Sequence, residues 1–324
     1  MNNTYILLRH AHSSYTSDDY NRPLSNRGIH SLSNLYFLND YNIDYYFSSP
    51  FKRAFDTLNR SPINFDKIHI DDRLKERVLS SSYVDDNDFK STIKYLWENT
   101  SYSLPGGESN VTALNRVLDF LNDLKVESLD VSMNSVLKDY IPNNLKLENL
   151  RSLNISGIGL DNISFIKNAT KLESLVAEEN AIKDITPLTE LKSLRVLYLD
   201  RNSISDITAL KDLSSLEELL LYKNNIENID ALKDKKYLYR LMLNENIGLR
   251  NIDALKDVPN ISSVDISDTA VTDISALKDA KYLYYIALKN TKVSETDITT
   301  FEKNNLEVKK SNNIDKKLEI VKTE

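Results

Sequence analysis

Leu8-Arg9-His10-Ala11-His12-Ser13 opens a polar stretch directly after an apolar run, Tyr5 to Leu8. An imidazole beside a guanidinium suits phosphate chemistry. Neutral imidazole attacks at pH 7, and a guanidinium matches phosphate oxygens through paired N–H donors. If Tyr5 to Leu8 forms a strand, the Arg9–His10 pair sits at its carboxyl end, where open α/β sheets place ligands. Further polar motifs follow in order: Arg22-Pro23-Leu24-Ser25 with Gly28, Ser48-Ser49-Pro50-Phe51-Lys52-Arg53-Ala54 with Thr57, Arg73-Leu74-Lys75-Glu76-Arg77, and Pro105-Gly106-Gly107-Glu108-Ser109 with Arg116. Other chemistries are closed off. Cysteine is absent, which removes disulfides, thiolate zinc sites and a Cys nucleophile. The six glycines form neither a GxxxxGK[ST] nor a GxGxxG loop.

The series of motifs resembles the histidine phosphatase, or phosphoglycerate mutase-like, superfamily over about the first 120 residues. The resemblance implies roles by position. His10 would be the nucleophile that takes the phosphoryl group, Arg9 and Arg53 would hold its oxygens, and Glu76 would protonate the leaving oxygen. A carboxyl group near bound phosphate has its pKa raised by the like charge, which suits Glu76 to that task. The resemblance implies no metal and no cofactor. His12, His30 and His69 match no catalytic position and are read as structural or exposed. The family pattern also requires a second histidine in a VSHG-type segment after the helix that follows the GES motif. This chain has no histidine after His69. Val131-Ser132-Met133-Asn134 aligns there with Met133 in the histidine's place, yet Leu129, Val131 and Asn134 also fit a repeat pattern. Val126 and Val136 fit that pattern too, which favours the repeat alignment.

The elements that must hold these residues differ sharply between the two parts of the chain. Residues 1–125 alternate short apolar runs, Tyr5 to Leu8 and Tyr45 to Ser48, with helical patterns such as Val111, Leu114, Val117, Leu118, Leu121 and Leu124. This predicts an α/β domain with a mostly parallel sheet, truncated relative to the family. From residue 126 leucine-type residues recur through Leu150, Leu172, Leu194, Leu216, Leu238, Ile261 and Leu283. The unit Leu194-x-x-Leu197-x-Leu199-x-x-Asn202-x-Ile204 resembles the bacterial, internalin-like leucine-rich repeats. The expected architecture is therefore α/β, a histidine-phosphatase-like domain over 1–125 followed by a curved leucine-rich-repeat solenoid over 126–308. Residues 309–324 are expected to be a loose polar tail. Asn180, Asn202, Asn224 and Asn246 share one repeat position, where an amide can bond the backbone of adjacent turns.

On the solenoid's concave face the middle column reads Asn154, Val176, Tyr198, Leu220, Met242, Asp265, Ala287. Val176, Tyr198, Leu220 and Met242, with Tyr222 beside them, make an exposed apolar stripe that marks a protein-partner site. Glu178, Asp200, Glu218 and Arg240 are expected to form a mostly acidic rim. Lys plus Arg is 41 against 48 Asp plus Glu, a net charge of −7. That balance disfavours nucleic acid as a partner. No apolar run approaches the roughly 18 residues that span a bilayer, and no signal-peptide pattern opens the chain. No membrane association and a cytoplasmic location are expected. Two functions compete: a protein-interaction module joined to a degenerate phosphate-binding domain, or a weakly active, metal-independent phosphomonoesterase using a phosphohistidine and targeted by its repeats.

Overall fold

The computed structural model describes residues 11–14, 18–40, 43, 45–64, 67–75, 91–92, 94–96, 99, 101–130, 132–133, 147–312, 314 and 316–322. The chain divides into two compact units, Thr4–Leu124 and one that takes in Lys125–Glu324.

In the first unit, Ser25 starts helix α1 (Asn26–Ser31) by accepting the Gly28 N–H on its hydroxyl, the usual economy of an N-cap. A 3-10 run, Leu32–Asp40, follows. Strand β1 (Tyr46–Ser48) leads into helix α2 (Lys52–Asn59), and β2 (Ile68–Ile70) then pairs with β1 in parallel, Phe47 opposite His69. A parallel return needs such a crossover, and α2 supplies it. A 3-10 turn, Asp72–Leu74, and helix α3 (Asn110–Asp123) follow, and between them residues 91–92 and 94–96 are also helical. The strand expected over Tyr5 to Leu8 lies outside the described residues.

The second unit is a single parallel sheet of nine strands, lined up in reverse chain order. These are β3 (Ser128–Asp130), β4 (Ser152–Asn154), β5 (Ser174–Val176), β6 (Val196–Tyr198), β7 (Glu218–Leu220), β8 (Arg240–Met242), β9 (Ser263–Asp265), β10 (Tyr285–Ala287) and β11 (Glu319–Val321). Leu153, Leu175, Leu197, Leu219, Leu241, Val264 and Ile286 stand in register at the strand centres, and all are buried. The repeated asparagines do what their spacing predicts. Asn202 Oδ1 accepts the Ile182 N–H, and its Nδ2 donates to the carbonyls of Ala177, Leu199 and Asp200. Asn180, Asn224 and Asn246 make the same kind of bridges one turn apart.

Two periodic devices go beyond the leucine pattern. Each turn carries one residue with left-handed backbone just before the asparagine position: Met133, Gly157, Glu179, Arg201, Lys223, Glu245, Asp268 and Asn290. The outer turns between β4 and β10 are short 3-10 segments opened by an Asp or Asn side chain that accepts the N–H two residues on, as Asp184 does for Thr186, Asp206 for Thr208 and Asn228 for Asp230. That bond satisfies a donor no intrahelical partner could reach.

The polar tail expected over 309–324 is corrected. Helix α4 (Glu295–Ser311) runs past residue 309, and β11 adds a ninth strand beside β10, Ile320 opposite Ile286. The helix buries Ile298, Phe301, Asn305 and Lys309 on one stripe. Lys309 Nζ donates to the Lys316 carbonyl, so a buried ammonium tethers the segment that leads into β11. Among the described residues no helix is long and apolar enough to cross a membrane.

Candidate functional site

Arg9, His10 and Glu76 lie outside the described residues, whereas the residues that follow His10 and those that precede Glu76 are described. Ala11 N donates to Thr57 Oγ1 at 2.9 Å, and that hydroxyl donates in turn to the Arg53 carbonyl at 2.7 Å. The residue after His10 is thereby tied to the helix that carries Arg53. Ser13 bridges Leu24, Ser14 N donates to Pro23 O, and Ser25 N donates to His12 O. A side chain at Gly28 would collide with the His12 carbonyl, so glycine is required where α1 crosses this segment.

Arg53 is 1% exposed. Its Nη1 donates to the Asp19 carbonyl at 2.6 Å, and its guanidinium lies 4.5 Å from the centre of the Phe51 ring. The GES motif acts through Arg116. Glu108 receives Arg116 in bidentate fashion at 3.0 and 2.9 Å, and Arg116 Nη1 donates to the carbonyls of Arg73 at 2.6 Å and Lys75 at 3.0 Å. Arg116 therefore fixes the backbone immediately ahead of Glu76. Arg73 is held by Asp71 and Asp123. Its hydrogen bond to Asp71 holds that carboxyl below the usual range. Neither the Arg116 nor the Asp19 contact is visible in local sequence spacing.

The three remaining histidines have other partners. His12 Nδ1 meets Ser25 Oγ at 2.7 Å, His30 Nδ1 meets the Asn26 carbonyl, and the His69 ring lies 5.4 Å from that of Phe47.

Met133 sits in the repeat. Met133 has φ of 57° and donates its N–H to Ser156 O at 2.7 Å. Gly157, Glu179, Arg201 and Lys223 repeat that bond to Glu178, Asp200, Tyr222 and Asn244. With β3 paired to β4, Met133 is the left-handed corner of a solenoid turn, its sulfur against Gly157.

On the solenoid, Val176, Tyr198, Leu220 and Met242 stand opposite one another on successive strands. Two expectations for this face are corrected. Leu220 is buried, 9% exposed, because Tyr198 and Met242 flank it at strand spacing. The acidic rim is also largely neutralised or hidden. Glu218 accepts hydroxyls from Tyr198 at 2.7 Å and from Tyr239, and Arg240 pairs with it. Burial works against the Glu218 charge, and those donors outweigh it to lower its pKa. Burial, with help from Glu218, pushes Tyr198 up to about 12. Asp200 is fully buried, with Oδ1 accepting the Tyr222 N–H at 2.8 Å. Tyr222 takes Arg201 Nε on its hydroxyl at 2.9 Å. Among the described residues, no group of three or more potential metal-ligating side chains comes together.

Comparison with known proteins finds both families in this chain. The profile of the histidine phosphatase superfamily (branch 1) matches residues 5–172, just over half the chain. The leucine-rich-repeat profile (two copies) matches residues 170–212. The phosphatase match thus runs over the first two strands of the solenoid, β3 and β4. No curated protein matches. Among solved structures, the chain is similar to an internalin (InlF) from Listeria monocytogenes, with 25% identity over 58% of this chain and 55% of that one and a TM-score of 0.50. It is also similar in fold to a leucine-rich-repeat protein from Leptospira interrogans, with 20% identity over 64% of this chain and 56% of that one and a TM-score of 0.53. The chain spans little more than half the length of these two structures.

Proposed function

Since this chain belongs to the histidine phosphatase superfamily (branch 1) and continues into a leucine-rich-repeat solenoid, we propose that it is a protein-interaction module joined to a phosphate-binding domain that no longer completes the family's reaction. One observation carries this reading. The position aligned with the family's second histidine is Met133, and Met133 is a corner of the first solenoid turn. Losing one donor to the transferring oxygens costs on the order of 10² to 10³ in rate. Arg9, His10 and Arg53 remain as the residues that would hold phosphate or a phosphorylated ligand, supported by the Ala11–Thr57–Arg53 chain of hydrogen bonds. The partner face is Val176, Tyr198 and Met242 with Tyr222, and a protein rather than nucleic acid or membrane is its proposed ligand. A cytoplasmic setting is supported by the absence of cysteine.

The second reading is a weakly active metal-independent phosphomonoesterase, with Glu76 as acid. It draws support from the Arg116–Glu108 pair, which keeps the backbone before Glu76 anchored. Aryl phosphate hydrolysis in metal-free buffer separates the two. The expected outcome is no turnover above that of His10→Ala while phosphate still raises the melting temperature. Turnover that vanishes in His10→Ala would establish the enzyme instead.

A further inference from the structure

The loop Asp18–Arg22 is strapped onto the start of α2. Arg53 Nη1 donates to the Asp19 carbonyl at 2.6 Å, and the Asp19 carboxylate lies 3.3 and 3.4 Å from the two terminal guanidinium nitrogens. The same carboxylate takes Arg22 Nη2 at 2.7 Å. Lys52 N donates to the Tyr20 carbonyl at 3.0 Å, and the Tyr20 and Phe51 rings lie 5.4 Å apart. Arg53 is covered as a result, although Asp18, Asp19, Tyr20 and Asn21 are themselves exposed.

A carboxylate offers a guanidinium two anionic oxygens in one plane, much as a phosphate does. We propose that Asp19 is a built-in stand-in for phosphate: an incoming anion reaches Arg53 by exchanging with the Asp19 carboxylate, and the Asp18–Arg22 loop lifts from α2 as it does so. This rests on the reading of the first unit as a phosphate-binding domain. The exchange is favourable in that direction for a physical reason. Asp19 is about half exposed, 53%, so water readily solvates it when it leaves, whereas buried Arg53 must keep an anionic partner. Phosphate near neutral pH also carries more charge than a carboxylate, which strengthens its hold on the same cation. The loop is suited to move as a piece. Asp18 accepts both the backbone N–H and the side-chain amide of Asn21, at 3.1 and 2.8 Å, which closes it on itself.

The test is calorimetric titration of the full chain with inorganic phosphate, comparing wild type, Asp19→Asn and Arg53→Gln, each shown to be folded by a thermal melt. Removing the competing charge is expected to tighten phosphate binding about tenfold in Asp19→Asn, and Arg53→Gln is expected to abolish it. Amide exchange on wild type gives a second readout that needs no variant. Saturating phosphate should speed exchange at the Lys52 N–H, whose bond to Tyr20 is broken when the loop lifts. If wild type binds and Asp19→Asn binds no tighter, Asp19 is not a competitor, while the phosphate-binding reading stands. If neither folded protein binds, both fall. Should Asp19→Asn fail to fold, unchanged Lys52 protection in phosphate overturns the proposal.

Discussion

Asp200 is a charge the protein buries at a cost. Its carboxyl is pushed up to about 7, first by burial and further by the neighbouring charge of Glu178, against the lowering effect of the Tyr222 amide. An unfolded aspartate titrates near 3.9. Between about pH 4 and pH 7 the folded state therefore binds the extra proton, and stability falls as pH rises through that window. Above about pH 7 the penalty is complete. Asp200→Asn is expected to stabilise the protein by roughly 1–3 kcal/mol at pH 8, with the gain shrinking towards zero near pH 4. Melting curves of both proteins across that range check it, and a gain independent of pH would mean that Asp200 is not the titrating group. The sequence placed Asp200 on the ligand face and could not show that it is covered. Strand phase is readable from a period of two, whereas burial of one column depends on what the adjacent turns carry. The same holds for Leu220 between Tyr198 and Met242.

The solenoid turns were the most legible elements, because a buried leucine column and a bridging asparagine recur at a fixed spacing and each needs the next turn to be satisfied. Asn202 shows the size of the effect. It serves one backbone donor and three carbonyls on two turns, so Asn202→Ala should cost roughly 2–4 kcal/mol by leaving some of those groups unpaired. Chemical denaturation measures this, and a loss under about 0.5 kcal/mol would show that water replaces the amide. The segment from residue 309 on is less legible for a related reason. Helix α4 buries Asn305 and Lys309 on the same stripe as Ile298 and Phe301, so a count of apolar residues ends the core too early. In the first unit, Arg116 and Asp19 act across tens of residues, on carbonyls and on one buried guanidinium. Such contacts leave no local pattern. Motif order identified the family nonetheless, since the family's polar residues lie in short, ordered clusters.

Taken whole, the molecule joins two modes of construction. The first unit is a set of dissimilar elements held by particular long-range pairs, while the second is one element repeated. The junction explains the overlap between the two families. The segment Val131-Ser132-Met133-Asn134, which follows β3, matches the VSHG-type phosphatase pattern at its first two positions, and Met133 within it is the left-handed corner of a solenoid turn. The recurrence of that corner has a genetic corollary. Corners in the middle of the array are 22 residues apart, the same offset that links the Arg195 and Glu217 side chains across neighbouring turns. Removal of residues 202–223 joins Arg201 directly to Asn224, and every later side chain keeps its face. Because each turn touches only its neighbours, the shortened protein should unfold cooperatively with a modestly lower melting temperature. A deletion of about half that length should not fold, because it sets leucines outward and charges inward. Unequal crossing-over within this stretch of coding sequence can therefore yield shorter and longer alleles that are foldable at once, and copy number becomes a trait that selection can adjust without first repairing a core.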